Sequence, residues 1–435
     1  MSSVLPRLGS FLSDIGQDQY RPQQKWLRDM LSGLFGGSPL LSDVGRRLGE
    51  TDDAGNPRRL IHTEKRLSRN LNSDRLDDAA LHRRHLERSA RLLRADDGED
   101  VVIAVDYTDF SKPRANLQHG MQFVCRCHDG SKGDTGVGYP VVQLEASLPH
   151  DRHLPVDSYP YSTEDPSHLS QSHVFLDRIR KAAPYVGARA WWTFDRGFDS
   201  TRYFDGMDAL KLRWIIRLQV TTKNPRHVRL ADGRMGACDD VAMQVPCPWT
   251  LDLPRGRGRK AHVLTLRYGI VRVSGLRDGS RGTAGKWSAC DRAMVVVHGF
   301  GNRPLVLLAS EFTGGSRAEA LALFNRYRRR WKAEEATRTA KDSRDWGVRL
   351  EDLRALKLRG IRRIAYLSLL LYAFLGELRA AGEKVVGVLV RAIGTFGKMP
   401  PDVRYRVFRA VGLALDRVQR DVFDRWRNQN VASPA

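Results

Sequence analysis

The stretch Tyr327-Arg-Arg-Arg-Trp-Lys-Ala-Glu-Glu-Ala-Thr-Arg-Thr-Ala-Lys341 is the segment around which the rest of the 435-residue chain is arranged. It contains neither Gly nor Pro and many residues of high helix propensity, so it predicts a helix. At 3.6 residues per turn, four of its polar side chains fall within an arc of about 60°. They are Tyr327, Arg330, Glu334 and Lys341. One carboxylate beside two cations and a phenol suits an acid that holds a metal next to groups that bind phosphate, although an ordinary charged helix surface fits the pattern equally well.

The balance of charge indicates a large polyanion as partner. The formal net charge is +22 and the sequence pI is about 10.2. Arg supplies most of the positive charge, and Arg suits bidentate contacts with phosphate. The five cysteines are scattered without metal-ligand spacing, which predicts reduced thiols. No signal peptide is evident, and the longest apolar run, Ile364 to Leu375, is too short to span a bilayer, so we expect a soluble, intracellular protein.

Residues 1–98 are predicted to form a helical, basic region. From Arg58 to Arg94 there are eleven Lys/Arg and five Asp/Glu, on a background of leucines at helical spacing. This pattern is typical of a helical bundle or a helix-turn-helix module that binds DNA. An ordinary helical cap domain is the alternative.

Residues 99–218 are predicted to combine strands with helices. The apolar, β-branched run Val101 to Val105 predicts a buried strand that delivers Asp106 at its C-terminal end. A second run, Arg189 to Phe194, delivers Asp195 in the same way. In α/β folds the functional groups lie beyond the C-terminal ends of the strands. Both aspartates are therefore candidate site residues, although a single Asp at a strand end is more often a turn former.

Three further regions follow along the chain. Residues 219–312 combine short β-type segments with Gly-, Pro- and Arg-rich turns, which predicts a basic, mainly β insertion. Residues 313–382 return to helix and contain the opening stretch. Residues 383–435 carry one apolar stripe at helical spacing, which suits either packing against the main body or dimerisation.

The acids at the strand ends and on the opening stretch form a set that suits magnesium. Mg²⁺ takes oxygen ligands, and two such ions about 4 Å apart share carboxylates when they catalyse phosphoryl transfer. Asp106, Asp195 and Glu334 supply three carboxylates without His or Cys. The basic surroundings would bind phosphate, so the acids and the positive charge have one common explanation.

The same residues resemble the DDE transposases of bacterial insertion sequences, in the cut-and-paste group with the signature Tyr-x2-Arg-x3-Glu-x6-Lys. The opening stretch meets that spacing without a gap. Val105-Asp106-Tyr-Thr-Asp-Phe-Ser-Lys-Pro113 resembles the first-acid segment of the family, and Phe194-Asp195-Arg-Gly-Phe-Asp199 resembles the second. The resemblance covers residues 60–380, in the family's order of acid, acid, β insertion and glutamate. Ala333 departs from the pattern, because a larger apolar residue is common at that position.

The resemblance implies an α/β fold, with an RNase H-like catalytic core interrupted by the β insertion and with helical N-terminal and C-terminal regions. It implies that Asp106, Asp195 and Glu334 are the catalytic residues and the ligands of two Mg²⁺ or Mn²⁺ ions. The implied reaction begins with a nick at a terminal inverted repeat and proceeds through a DNA hairpin that is then opened. It ends when the 3′ ends of the element join target DNA.

The resemblance also implies the DNA contacts and the partners. The expected DNA-binding residues are Tyr327, Arg330, Lys341, Arg196, Trp249 and Trp287. The first three would hold phosphates near the transposon end, and Arg196 suits either a phosphate clamp or a structural ion pair. One of the two tryptophans would stabilise the hairpin or a flipped base. The partners would be double-stranded DNA with terminal inverted repeats, target DNA and a second copy of the chain, in the bacterial cytoplasm at the nucleoid.

Two other functions fit parts of the pattern. A domesticated relative would bind DNA without cutting it, but its acids would be expected to have drifted. An RNase H-fold nuclease would cut without regard to terminal sequence, and it would not need the four-residue signature of the opening stretch.

Overall fold

The computed structural model describes two compact units. The described residues are 4–50, 58–94, 100–112, 122–125, 135–148, 152–220, 226–255, 262–278, 287–341, 348, 350–380, 411–412 and 415. The first unit comprises Met1–Asp97, Tyr107–Val174 and Glu334–Ala435, and the second comprises Gly98–Asp106 and Phe175–Ala333.

Helices and strands are both abundant in the described residues, so the mixed α/β prediction is confirmed. The helices are α1 (Val4–Gly16), α2 (Arg21–Leu34), α3 (Leu41–Leu48), α4 (Leu60–Leu71), α5 (Asp78–Arg94), α6 (Gln171–Val186), α7 (Thr201–Ala209), α8 (Cys238–Met243), α9 (Arg317–Lys341) and α10 (Leu358–Ala380). The strands are β1 (Val102–Ser111), β2 (Gln122–Cys125), β3 (Thr135–Leu148), β4 (Arg152–Pro160), β5 (Trp191–Phe194), β6 (Arg213–Arg217), β7 (His227–Leu230), β8 (Met235–Ala237), β9 (Trp249–Arg255), β10 (His262–Arg277), β11 (Ser288–His298) and β12 (Leu305–Ala309).

The helices of the first unit pack through apolar stripes. α2 buries Trp26 and Met30 one turn apart on one face. The indole N–H of Trp26 donates a hydrogen bond to the carbonyl of Leu67 on α4, at 3.1 Å. α10 is tied to α5 by the buried guanidinium of Arg363, which binds the Asp78 carboxylate at 2.8 and 2.9 Å. Helices α1–α5 therefore confirm that the described part of residues 1–98 is helical.

The first unit also contains an antiparallel sheet. β3 pairs with β2 at its start and with β4 over the rest of its length. The sequence analysis does not predict a strand at β4, because that segment contains Pro155 and Pro160. Proline is tolerated in a strand that lies at a sheet edge, and β4 pairs only with β3 among the described strands.

A larger sheet forms the centre of the second unit. Its strand order is β1-β5-β6-β12-β11-β10-β7-β8, and β9 pairs with β10. β1, β5 and β6 run parallel, whereas β6 and β12 and the strands beyond them are antiparallel. The described part of residues 226–309 thus contains six strands and the short helix α8.

Two glycines occupy positions where a side chain would fit poorly. α6 continues through Pro184 to Val186, and the chain leaves the helix at Gly187 with a φ of 91°. Glycine adopts that conformation without steric cost. β10 is a single long strand through Gly269, where a Cβ atom would lie 2.0 Å from the Pro246 carbonyl oxygen.

Other predictions fall partly or wholly on residues outside the described ranges. They include nearly all of the region 383–435. The proposed domain boundaries stay predictions.

Cys238, Cys247 and Cys290 are free thiols. Within the ranges given above, no helix is long and apolar enough to cross a membrane.

Candidate active site

Two aspartates and an arginine follow one row of paired strand residues in the second unit. The row crosses the parallel strands β1, β5 and β6 at Val105, Phe194 and Ile216. The next residues along the three strands are Asp106, Asp195 and Arg217. Neighbouring strands lie about 4.8 Å apart, so these three side chains start from adjacent points. Asp195 and Arg217 lie at the C-terminal ends of β5 and β6, but β1 continues past Asp106 to Ser111, so the expectation that Asp106 ends its strand is wrong.

The three residues project from the sheet face that α9 covers. Side chains alternate between the two faces of a strand, so Asp195 shares a face with Trp191, and Arg217 shares it with Ile215. Trp191 and Ile215 belong to the same hydrophobic core as Tyr327 of α9. Asp106 and Asp195 therefore lie on the sheet face that this core covers.

Tyr327 is buried in this core, and the Arg330 guanidinium lies over its ring. Its exposed fraction is 0%, its ring centroid lies 6.2 Å from that of Trp331, and the Arg330 guanidinium carbon lies 5.5 Å from it. Burial raises the pKa of the Tyr327 phenol. The positive charges of Arg330 and Arg217 oppose that rise, and the negative charge of Asp195 adds to it. These four charged or polar groups are therefore close enough to interact electrostatically.

The helix predicted from the opening stretch is confirmed, since α9 extends from Arg317 to Lys341. Glu334 lies on it one turn beyond Arg330. The side chains of Glu334 and Lys341 lie outside the described part of the chain. The roles expected for them, and the phosphate contacts of Tyr327 and Arg330, stay predictions.

The turn after β5 holds the Asp195 carboxylate in place. Its Oδ1 accepts a hydrogen bond from the Gly197 amide at 2.8 Å. A Cβ atom at Gly197 would lie 3.0 Å from the same oxygen, so the close approach favours glycine. Arg196 is exposed and forms no ion pair with any residue in the described ranges, which is compatible with a phosphate clamp. Its carbonyl accepts a hydrogen bond from the Gln219 side chain at 3.2 Å.

Asp199 connects this turn to the strands beyond it. Its carboxylate accepts hydrogen bonds from the Gln219 amide, at 2.7 Å, and from Nε of Arg226. The side chains of Asp199 and Arg226 are only 4% and 5% exposed. Burial raises the pKa of the Asp199 carboxyl, and the Arg226 guanidinium opposes that rise. Arg226 also binds Asp278 at 2.7 Å, which in turn accepts a hydrogen bond from Thr201. Asp199 is thus a structural acid that ties the turn to the start of β7 and the end of β10.

The chemistry of the site residues fits a hard divalent cation. Asp106 and Asp195 are half-buried neighbours on adjacent strands, and both present oxygen donors. No group of three or more His, Cys, Asp or Glu side chains in the described ranges is arranged to hold a metal. Glu334, the third carboxylate predicted from the sequence, has its side chain outside those ranges.

The two candidate tryptophans lie in different environments. Trp249 packs against the hydrophobic core of the second unit, and its ring centroid is 5.6 Å from that of Tyr268. Trp287 is half-buried and lies between two cations. The guanidinium carbons of Arg229 and Arg277 are 5.3 and 5.1 Å from its ring centroid. A half-buried ring between cations suits contact with a nucleic acid better than a half-buried ring that packs against the core.

Sequence reasoning missed Arg217 and Arg226. The signal for Arg217 was present, because it follows the strand run Trp214 to Ile216 as Asp195 follows its own strand. The pairing register that makes the two strands neighbours could not be read from the sequence. Arg226 gave no local signal, because its partner Asp199 is 27 residues away.

Comparison with known proteins gives one clear family match. Residues 97–374 match the family described as "Transposase DDE domain". Among solved structures, the chain is similar to a cryo-EM structure of the piggyBac transposase synaptic complex with hairpin DNA. That similarity has 9% sequence identity and a TM-score of 0.40, and it covers 99% of this chain and 80% of the other. A search of curated proteins found no match.

Proposed function

Because the chain belongs to the transposase DDE domain family, we propose that it is a DNA transposase of the cut-and-paste group that carries the Tyr-Arg-Glu-Lys signature. The observation that supports this most directly is the pair Asp106 and Asp195, which follow paired residues of the neighbouring strands β1 and β5 on the sheet face that α9 covers. Their closeness supports assigning both aspartates to one site.

The proposal includes the finer architecture of the family. Residues 99–218 and 313–382 would form an RNase H-like core, and residues 219–312 would be the β insertion. The parallel strands β1, β5 and β6 and the strands β7–β12 support that division. Residues 1–98 would be the DNA-binding region, and residues 383–435 would contribute to dimerisation.

We assign the metal site to Asp106, Asp195 and Glu334, as ligands of two Mg²⁺ or Mn²⁺ ions. When bound, such ions supply Lewis acidity for in-line phosphoryl transfer. The carboxylates hold and orient the site, and the hydrogen bond from the Gly197 amide fixes one Asp195 oxygen so that the other faces away from the turn. The nearby core side chains exclude bulk water from one side of the site, which strengthens electrostatic interactions there.

The cations around the acids are suited to hold DNA phosphates. Arg330 and Lys341 on α9, Arg217 at the end of β6 and the exposed Arg196 would position the strand without reading bases. Tyr327 would add its hydroxyl to the same phosphate contact.

In this assignment Trp287, flanked by Arg229 and Arg277, stabilises the DNA hairpin or a flipped base. Trp249 is the weaker candidate, because it packs against the core.

The reaction proposed is nicking at a terminal inverted repeat, hairpin formation and opening, and joining of the 3′ ends to target DNA by a dimer that holds two ends. The test uses a supercoiled plasmid that carries the reading frame with its genomic flanks. Purified protein with Mg²⁺ or Mn²⁺ should nick at the repeats. Asp106→Asn, Asp195→Asn and Glu334→Gln should each abolish nicking, whereas Asp205→Asn, an exposed acid on α7 of the same unit, should not.

The same assay separates the alternative functions. Duplex binding without cleavage under either metal would identify a non-cleaving DNA-binding protein. Cleavage that ignores the terminal sequence would identify a nuclease. Full cleavage by any of the three acid variants would refute the metal-site assignment.

A further inference from the structure

We propose that the outward face of α4 is the surface through which the first unit binds double-stranded DNA. This inference rests on the proposed function, and it narrows a basic region of almost a hundred residues to one helix face. The face is defined by Ile61, His62, Lys65 and Arg69, with Arg58 and Arg59 just before the helix.

The cations of this face are exposed and point in one direction. His62, Lys65 and Arg69 fall within an arc of about 60° on a helix of 3.6 residues per turn, and all three are exposed. None of them forms an ion pair with a residue in the described ranges. Three exposed cationic or titratable side chains therefore project together from one side of α4.

The opposite side of α4 is fixed in the unit, so its outward face has a defined orientation. Leu67 and Leu71 are buried, and the Leu67 carbonyl accepts the hydrogen bond from Trp26. Arg66, on the flank, pairs with Asp29 of α2 at 2.9 Å and with Glu50. Arg66 thus offsets part of the negative charge of these two acids, which lie on the flank and not on the outward face.

Helix α5 has more cations than α4, but four of its five arginines are engaged within the protein. Arg83 and Arg84 bind Asp18 at 2.9 and 2.8 Å. Arg88 binds Asp14 and Glu377, and Arg91 also binds Asp14. The positive charge counted from Arg58 to Arg94 is therefore divided: these α5 arginines hold helices together, and the outward cations of α4 face solvent.

Double-stranded DNA is the partner that fits this face. The major groove is about 12 Å wide and admits an α-helix, and the 12 residues of α4 give a helix of about three turns. Lys65 and Arg69 would contact phosphates on the groove walls. Ile61 is 48% exposed at the N-terminal end of the same face, where an apolar group suits contact with a thymine methyl group.

The test compares two double variants of the full-length protein that lose the same charge. Lys65→Gln/Arg69→Gln removes two cations from α4, and Arg83→Gln/Arg91→Gln removes two exposed but paired cations from α5. Binding of a fluorescein-labelled 30-base-pair duplex is measured by anisotropy in EDTA at several salt concentrations. Circular dichroism melting curves check that both variants fold.

The expected result follows from the release of counterions. Loss of two phosphate contacts makes the negative slope of log K against log salt shallower by about 1.8. It also weakens binding about 30-fold at 0.15 M salt. The α5 variant should stay within about threefold of the wild-type protein, with an unchanged slope. Equal weakening by the two variants would overturn the proposal, because it would indicate only the overall field of the protein. A loss of binding to an RNA duplex but not to the DNA duplex would overturn it as well.

Nicking by the wild-type protein is measured separately, so the two ideas fail independently. If wild-type protein binds the duplex through α4 but never nicks, the transposase function fails and the α4 surface stands. If wild-type protein nicks at its repeats and the α4 variant binds and nicks as well as wild type, the α4 surface fails and the function stands.

Discussion

Replacing Asp199 by Asn should destabilise the second unit by about 3 kcal/mol. The Asp199 and Arg226 side chains are 4% and 5% exposed, and the carboxylate accepts hydrogen bonds from Arg226 and the Gln219 amide. Removing one partner of such a buried pair typically costs 3–5 kcal/mol, because the other charge remains buried without compensation. The lower value applies here, because Asp278 still binds Arg226 at 2.7 Å.

Hydrogen exchange followed by mass spectrometry measures this loss in one unit at a time. A loss of about 3 kcal/mol corresponds to about 150-fold faster exchange for amides that open with the whole unit. Peptides that cover 191–217 in the second unit should show that acceleration. Peptides from α10, in the first unit, provide an internal reference.

A matched variant isolates the effect of burial. Asp291→Asn breaks an ion pair with Arg272 in the same unit, but the two side chains are 58% and 52% exposed. Exposed pairs contribute only about 0–1 kcal/mol, so exchange should change less than about fivefold.

The double variant Asp199→Asn/Arg226→Gln tests the cause, because it also removes the buried cation. It should be no less stable than Asp199→Asn alone. The reasoning is refuted if Asp199→Asn costs no more than Asp291→Asn, or if the double variant loses the sum of the two single losses.

Three further predictions test other parts of the structure. Tyr327→Phe should keep the free energy of unfolding within about 1 kcal/mol, because the ring packing remains, but it should slow nicking about tenfold if the hydroxyl contacts phosphate. Unchanged nicking would show that Tyr327 acts only through packing. Tyr327→Ala should cost about 3–5 kcal/mol of stability in either case. Burial lowers the pKa of His85 to about 4, below the unfolded value of about 6.5, so the unfolded state binds the proton first. The first unit should therefore lose about 3 kcal/mol of stability as pH falls from 6.5 to 4. His85→Gln, which can still donate to the Pro155 carbonyl, should flatten that pH dependence in denaturant titrations. Gly269→Ala should cost about 3 kcal/mol, because its Cβ would lie 2.0 Å from a carbonyl oxygen, whereas Gly236→Ala, with 3.4 Å to the nearest atom, should be nearly neutral in the same titrations.

Local sequence signals predicted the elements that carry the site, but not their arrangement. Continuous apolar runs predicted β1 and β5, and the propensities of the opening stretch predicted α9. Asp195 follows the end of β5 as expected, whereas β1 continues past Asp106 to Ser111. That β1 and β5 are parallel neighbours in one register depends on pairing between residues about 90 positions apart, which leaves no local pattern.

The sequence failed where tertiary contacts outweigh local preference. β4 contains two prolines and still forms a strand, because β3 and α10 pack against it. Arg217 has an ordinary strand-end position, and only the register makes it a neighbour of Asp195. The burial of Tyr327 could not be seen on a helix whose charged residues surround it.

The net charge of +22 does not by itself indicate which residues contact DNA. Many arginines have internal partners: Arg226 binds buried Asp199, Arg326 binds Asp100 and lies over the Trp191 ring, and Arg363 binds Asp78. Such cations are already neutralised, and they release few counterions when DNA binds. A cation indicates a phosphate contact only where the fold leaves it exposed and without an acid nearby. That criterion separates the outward face of α4 from the paired arginines of α5, although α5 has more cations in sequence. It predicts that charge-removing substitutions will weaken DNA binding according to pairing and not according to charge count.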